Sequence, residues 1–375
     1  MTKYLLVPDS FKGTMSSMDV INIMDKTIRK HDKEAHIHSI PVADGGEGSV
    51  DAFLYALGGE RIEVTVKGPY NHPISSFYGL VDQGKTAVVE MAAAAGLPLV
   101  EDNKNPLKTS TYGVGELIVH ALEKGVDKII LALGGSATND GGCGMASALG
   151  VRFLNSLGEV FIPVGGTLKD ISKIDLSELD ERLQNIQVTT MCDIDNPLYG
   201  PNGAAYIFGP QKGATPSTLP LLDDGLRHLA KTVKNDLDLD YAHVPGSGAA
   251  GGMGFGSMVF MKAKLQMGIE AVLDAVDFDQ LLNQVDYVFT GEGQFDSQSL
   301  RGKVVIGVAR RAKKKNVPVI ALVGQIRGPL DEAYHIGVTS MFSINTKAED
   351  FSVSRFSSTE NLENVMENII RILGI

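Results

Sequence analysis

The stretch TKYLLVPDSFKGTMSSMDVINIMDKTIRKHDKEAHIHSIPVADGGEGSVDAFLYAL, residues 2–57, decides how the chain is read. Tyr4-Leu5-Leu6-Val7 is a short apolar run that suits a strand, and 8–13 is a loop punctuated by Pro8 and Gly13. Ser16, followed three residues later by Asp19, makes a capping-box-like start, after which Val20, Ile21, Met24 and Ile28 recur at helical spacing. The pattern ends in Arg29, Lys30 and His31, cations at the negative end of a helix dipole. A second strand over 36–42 leads into Asp44-Gly45-Gly46-Glu47-Gly48 and then a helix over 49–57. This is one strand–helix–strand unit plus a helix.

The far end of the chain repeats the alternation. Strands are expected over 286–290, 318–323 and 340–344, with helices over 304–315 and 359–373. Two strands from the start and three from the end predict an α/β fold with one doubly wound, Rossmann-like parallel sheet, split by an inserted second domain. The middle reads as α+β with a mixed sheet: hairpin-like segments over 61–66, 74–80 and 86–91, a helix over 112–123, a strand over 128–133, a glycine loop and a further helix. Residues 260–272 read as helix. The expected domains are 1–65 plus 281–375, and 66–280.

Composition narrows the class. A length of 375 residues favours two domains, and 42 glycines, about 11% against a usual value of about 7%, demand unusual backbone freedom somewhere. Hydrophobic content of 43% excludes a disordered chain. No run approaches the roughly 18 apolar residues of a membrane span, and the apolar start is too short for a signal peptide, so a soluble cytoplasmic protein is expected. Cys143 and Cys192 are too few for a disulfide framework, which agrees with a reducing compartment; they pair only if the fold brings them together. The net charge of −11 works against nucleic acid and anionic membranes as partners. The one basic cluster, Arg310, Arg311, Lys313, Lys314 and Lys315, closes a predicted helix and reads as dipole compensation.

Two glycine patterns match known motifs and fail on context. Residues 79–86, GLVDQGKT, satisfy the P-loop pattern, but the β-branched run after them reads as the second strand of a hairpin and not as a helix. Residues 246–251, GSGAAG, match a dinucleotide fingerprint with Glu270 about 20 residues on, yet that acid falls in a predicted helix instead of at a strand end. The loop itself remains open as an anion holder.

Six other loops combine glycine with acids, amides or single cations. Residues 134–142, GGSATNDGG, sit between a strand and a helix, where unpaired amides meet the positive end of a helix dipole and favour phosphate or carboxylate. The rest are 9–13, 44–48, 192–197, 209–213 and 291–296, the last continuing to Arg301-Gly302-Lys303. Those at 9–13, 44–48 and 291–296 follow predicted strands and are expected to collect at the carboxyl edge of the split sheet. Carboxylates beside glycine turns suit Mg²⁺, and Lys12, Lys212, Arg301 and Lys303 could neutralise transferring phosphate; together they suggest phosphoryl transfer. The eight histidines show no metal-ligand spacing.

Taken in order, PDSFKG (8–13), VADGGEGSVDA (42–52), AVVEMAAAAGL (87–97), NPLKTSTYGVGELI (105–118), GGSATNDGGCGM (134–145), CDIDNPLYGPNGAAYIFGPQKGAT (192–215), PGSGAAGGMGFG (245–256) and TGEGQFDSQSLRGKVVIGVA (290–309) resemble the bacterial glycerate kinase family, of the glyoxylate- and galactarate-pathway type. The resemblance runs from end to end. It implies a two-domain α/β fold with the active site in a cleft between the domains. It also implies ATP- and Mg²⁺-dependent phosphorylation of D-glycerate to 2-phosphoglycerate. Where the family usually carries Arg and Thr, this chain has Gln294 and Ser299, which shifts any phosphate charge onto Arg301 or Lys303.

On that basis Gly134, Gly135, Ser136, Thr138, Asn139, Gly141 and Gly142 are expected to cradle nucleotide phosphates. Lys12 and Lys303 balance charge in the transition state, Asp193 accepts the glycerate hydroxyl proton, Asp44 and Asp296 hold Mg²⁺, and Ser10 with Arg301 binds the substrate carboxylate. The alternatives are a kinase of the same fold that makes the 3-phospho isomer or takes another small hydroxy acid and, from a different class, a non-enzymatic nucleotide-sensing module. Monomer and homodimer are both open.

Overall fold

The structure, a computed structural model, describes residues 1–43 and 45–374. Asp44, an expected magnesium ligand, lies outside the described residues. The chain is mixed α/β and divides into two compact units, Met1–Asp44 with Met267–Ile375, and Gly45–Gln266. The divisions fall before 65 and 280, for packing reasons. Helix Ser49–Leu57 packs on strands Pro73–Val81 and Thr86–Glu90 of the second unit. At the other end, helix Gly268–Ala275 packs on helix Val304–Lys314, where Arg311 pairs with Glu270 and Asp274.

The first unit is built on five parallel strands in the order Ser340–Ser343, Val319–Ile326, Tyr287–Phe295, Lys3–Pro8, His36–Ser39. Tyr4, Leu5, Leu6 and Val7 are all fully buried, as a central parallel strand covered on both faces requires. Leu6 lies in register with Phe289 on one side and Ser39 on the other. Strand order reverses between Lys3–Pro8 and Tyr287–Phe295, the place where open α/β sheets bind ligands. Helix Ser17–His31 starts with a full capping box: the Asp19 amide donates to Ser16 Oγ and the Ser16 amide to the Asp19 carboxylate. Its Val20, Met24 and Ile28 join Tyr4, Phe289, Leu322 and Met366 in the core of this unit. The basic cluster does close helix Val304–Lys314, and Arg311 binds Glu270, the acid that follows the GSGAAG pattern.

The second unit holds a six-stranded mixed sheet in the order Lys264–Gln266, Gln187–Met191, Lys128–Ala132, Thr86–Glu90, Pro73–Val81, Glu60–Lys67. The first four run parallel and the last two add antiparallel pairs. Val81 pairs with Thr86 across the turn Asp82–Gly84, where Asp82, Gln83 and Gly84 all have positive φ, so GLVDQGKT is a hairpin. A three-stranded antiparallel sheet, Val160–Phe161, Arg152–Leu154 and Lys173–Asp175, lies over a separate apolar cluster containing Phe153, Leu226 and Phe260. The helix expected over 260–272 is broken. Helix Ala249–Met261 stops at Lys262, whose φ of 54° is left-handed, and Lys264–Gln266 then pairs with Thr189–Met191 as an edge strand before a new helix begins at Gly268.

Candidate active site

In the Gly45–Gln266 unit, strand Lys128–Ala132 is buried beyond its first residue and delivers the chain into 134–142 and the short helix Cys143–Ala148. Four amides of this loop donate within the protein. Gly134 donates to the Gly45 carbonyl (2.7 Å), Ala137 to that of Ala95 (2.8 Å) and Gly141 to that of Gly251 (3.0 Å). Asp140, with none of its surface exposed, takes the next ones: the amides of Gly142 (3.1 Å), Gly144 (3.2 Å) and Thr111 (2.8 Å), and the Thr111 hydroxyl (2.8 Å). Burial pushes the Asp140 carboxyl up from its ordinary value, and those donors pull it back. The positive end of this short helix is therefore spent on Asp140 and Thr111. The loop also carries side-chain atoms without partners.

Three such atoms stand out. Thr138 Oγ1 and both amide atoms of Asn139 are buried with no hydrogen-bond partner, and buried polar atoms in folded proteins are nearly always paired. Beside them is Lys212, 2% exposed, whose Nζ donates to Ser136 Oγ (2.8 Å) and to the Thr138 carbonyl (2.7 Å). Loop 209–213 thus joins loop 134–142, and so does part of 44–48: a Cβ on Gly134 would come 2.4 Å from Gly46 Cα. Loop 44–48 falls at the passage from the first unit to the second, which begins at Gly45.

The glycines of 246–256 have a different use from the one their pattern suggested. A Cβ on Gly251 would lie 2.0 Å from the Thr138 carbonyl oxygen, and one on Gly256 2.4 Å from that of Gly141. This segment is the floor on which 138–142 rests, backbone against backbone, and not an open anion loop. Asp193 is exposed in the loop after Gln187–Met191, a loop tied to the same floor by the Gly248 amide and the Asn196 carbonyl (3.0 Å). Cys143 and Cys192 are free thiols, and burial raises both, Cys192 to about 11.

In the first unit, 9–13 and 291–296 do lie together at the carboxyl ends of adjacent strands. The Asp9 amide donates to the Gly291 carbonyl (2.9 Å), and a Cβ on Gly293 would meet the Lys12 backbone nitrogen at 3.2 Å. Ser10 donates its amide to Asp9 Oδ1, and Lys12 and Arg301 are exposed. Asp296 accepts from Gln294 Nε2 (2.8 Å) and from the Gln298 (2.8 Å) and Ser299 (3.3 Å) amides, which hold its carboxyl below the usual range, the Gln294 bond first. Gln294, in the arginine's place, therefore braces Asp296.

Glu292 was missed by the residue-by-residue assignment. It is 4% exposed and its Oε1 has no partner. Burial raises it to about 7, Asp9 and Asp296 pushing the same way, while a Ser299 hydrogen bond and the Lys303 charge oppose. The available signal was a carboxylate that ends an apolar strand run, YVFTGE, in place of one in a loop. No group of three or more metal-ligating side chains occurs among the described residues. The hard oxygen donors Glu292 and Asp296, one with an orphaned oxygen, nonetheless fit an ion that takes only one or two carboxylates from protein.

A buried, cation-bearing polar cluster in one α/β unit and a carboxylate and cation cluster at the strand ends of another suit phosphoryl transfer. Known proteins agree on that class, and the chain is a kinase. It belongs to the glycerate kinase family, whose model matches residues 4–374. It is 44% identical over 370 residues to glycerate kinase of Halalkalibacterium halodurans, covering 98% of this chain and 97% of that one. It is 41% identical over 374 residues to glycerate 2-kinase of Escherichia coli, covering 100% and 98%. Among solved structures it is similar to a Salmonella typhimurium LT2 protein assigned as glycerate kinase 2, with a TM-score of 0.88, 40% identity and coverage of 100% and 98%. No described helix is long and apolar enough to cross a membrane.

Proposed function

We propose that this protein transfers the γ-phosphoryl group of ATP to the 2-hydroxyl of D-glycerate, giving 2-phosphoglycerate and ADP with Mg²⁺ as cofactor. The observation that carries the reading is the end-to-end match to relatives named glycerate kinase, including the Escherichia coli glycerate 2-kinase. In the reaction the 2-hydroxyl oxygen forms the new P–O bond, the β,γ-bridging P–O bond breaks, and the hydroxyl proton passes to the Asp193 carboxylate. Ser136, Thr138 and Asn139 receive the nucleotide phosphates, with Gly134, Gly135, Gly141 and Gly142 shaping the loop. This is supported by the unpartnered Thr138 and Asn139 atoms.

Ser10 and Arg301 bind the substrate carboxylate, and Lys12 and Lys303 balance charge as the phosphoryl group moves. Asp296 and the orphaned oxygen of Glu292 hold Mg²⁺, together with Asp44. The bound ion supplies charge neutralisation on the phosphate oxygens. The doubly wound, Rossmann-like reading of the first unit is supported by the strand-order reversal next to Glu292.

The test is turnover with ATP, Mg²⁺ and D-glycerate, with enolase as reporter. Phosphoenolpyruvate formed without added mutase supports the 2-kinase, and ADP release that needs a mutase before enolase responds makes the protein a 3-kinase. Absence of ADP release with any small hydroxy acid would leave the nucleotide-sensing reading. Asp193→Asn should lose most of kcat while still binding ATP, and near-normal turnover removes its role as base.

A further inference from the structure

Lys212 is the least expected group in the Gly45–Gln266 unit. It closes the turn Pro210–Lys212 with 2% of its surface exposed, so its stem and its head are both out of water. Its two partners, Ser136 Oγ and the Thr138 carbonyl, are neutral oxygens, and an ammonium has three hydrogens to donate. The charge that acts on it is Asp140, whose two oxygens already accept four hydrogen bonds from Thr111, Gly142 and Gly144. The neighbouring segment contributes the backbone of Lys104 against Gly213, and that lysine is itself exposed.

A buried cation with no counter-ion of its own is costly, and a loop is pinned as well by a neutral amide. Burial draws Lys212 down to about 7, against the pull of Asp140. On the same stretch, the Thr138 hydroxyl and the Asn139 amide are buried and unpartnered. An ammonium, a hydroxyl and an amide NH₂ make a donor set, and a phosphate group offers several acceptor oxygens with negative charge.

We propose that Lys212 is the residue that reads phosphate charge in this pocket, and that it takes up a proton when a nucleotide phosphate chain enters. The proton comes from solvent and completes the ammonium, and the phosphate becomes the counter-ion of Lys212. The inference rests on the reading of 134–142 as the nucleotide site and adds to it a titrating cation, which makes nucleotide affinity dependent on pH.

The test is calorimetric titration of the full-length protein with ADP at pH 8, in two buffers of different ionisation enthalpy. ADP is fully deprotonated there, so uptake reports on the protein. Uptake approaching one proton is expected in the wild type, falling steeply toward pH 6, where Lys212 already holds its proton. Lys212→Arg, always charged, should bind ADP without uptake, and Lys212→Met should bind ten- to a hundredfold more weakly, also without uptake. A lysine that merely pins the loop would leave proton uptake absent in the wild type. Buffer-independent binding by the wild type overturns the proposal, and so does uptake that survives in Lys212→Met. Should Lys212→Met fail to fold, the wild-type proton count and the arginine variant still decide. If the wild type binds no ADP at all, the nucleotide reading of the loop falls first and this inference with it.

Discussion

Replacing Asp140 with alanine should unfold the loop that the functional proposal depends on. The carboxylate is fully buried and accepts from the Thr111 amide and hydroxyl at 2.8 Å each, the Gly142 amide at 3.1 Å and the Gly144 amide at 3.2 Å. Alanine strands three N–H groups and one hydroxyl. Each buried orphan costs about 1–3 kcal/mol, while the removed desolvation of the carboxylate and any entering water offset part of the loss. A net destabilisation of roughly 3–5 kcal/mol follows, a large share of a typical total of about 5–15 kcal/mol. For a unit of this size that corresponds to a fall of about 6–20 °C in Tm.

Urea unfolding of the wild type, Asp140→Ala and Asp140→Asn measures it, with the midpoint moving and the slope unchanged. Asparagine keeps one acceptor oxygen but turns an NH₂ toward a donor, so it should fall between the other two. A loss below about 1 kcal/mol for alanine would show that the donors find other acceptors and refute the reasoning.

Gly251→Ala should be destabilising by several kcal/mol and should depress nucleotide binding more than glycerate binding. Its φ is +69° and the added Cβ would sit 2.0 Å from the Thr138 carbonyl, and a normal melting temperature would contradict this packing. Glu292→Gln should stabilise the protein at pH 8 while impairing turnover. The folded carboxyl holds its proton up to about 7 and the unfolded one only to its ordinary 4.5, so folding binds extra protons in between and wild-type stability falls as pH rises through that window. The variant's advantage, at most about 3 kcal/mol, should appear in Tm at pH 8 and vanish below the ordinary value; a variant less stable than wild type at pH 8 rules the penalty out. Both thiols should resist a thiol reagent at pH 8 in the native state and react on unfolding, since burial raises each above its ordinary value.

Much of the local structure was legible in the chain. The capping box at Ser16 and Asp19, the apolar run 4–7 and the hairpin at 79–86 depend on neighbours a few residues apart, and these formed as their spacing requires. The helix expected over 260–272 failed because Leu265 is recruited by Thr190, a partner distant in sequence that periodicity cannot weigh. Loops 9–13 and 291–296 lie together as their strands require, while Gly45 onward belongs to the second unit, where helix Ser49–Leu57 finds its apolar partners.

By itself the sequence determined most of the element types, the family and the set of glycine loops rich in chemistry, because each rests on residue type and short spacing. Only the tertiary structure decided which glycines serve packing. Those of 246–256 let two backbones touch, those near 134 and 142 leave their amides to Gly45, Gly251 and Asp140, and Thr138, Asn139 and Glu292 are among the groups left unsatisfied. The physical reason is that burial and hydrogen-bond partnership belong to pairs of residues far apart in the chain. The state of Lys212 or Glu292 is therefore set by what surrounds it and not by what adjoins it.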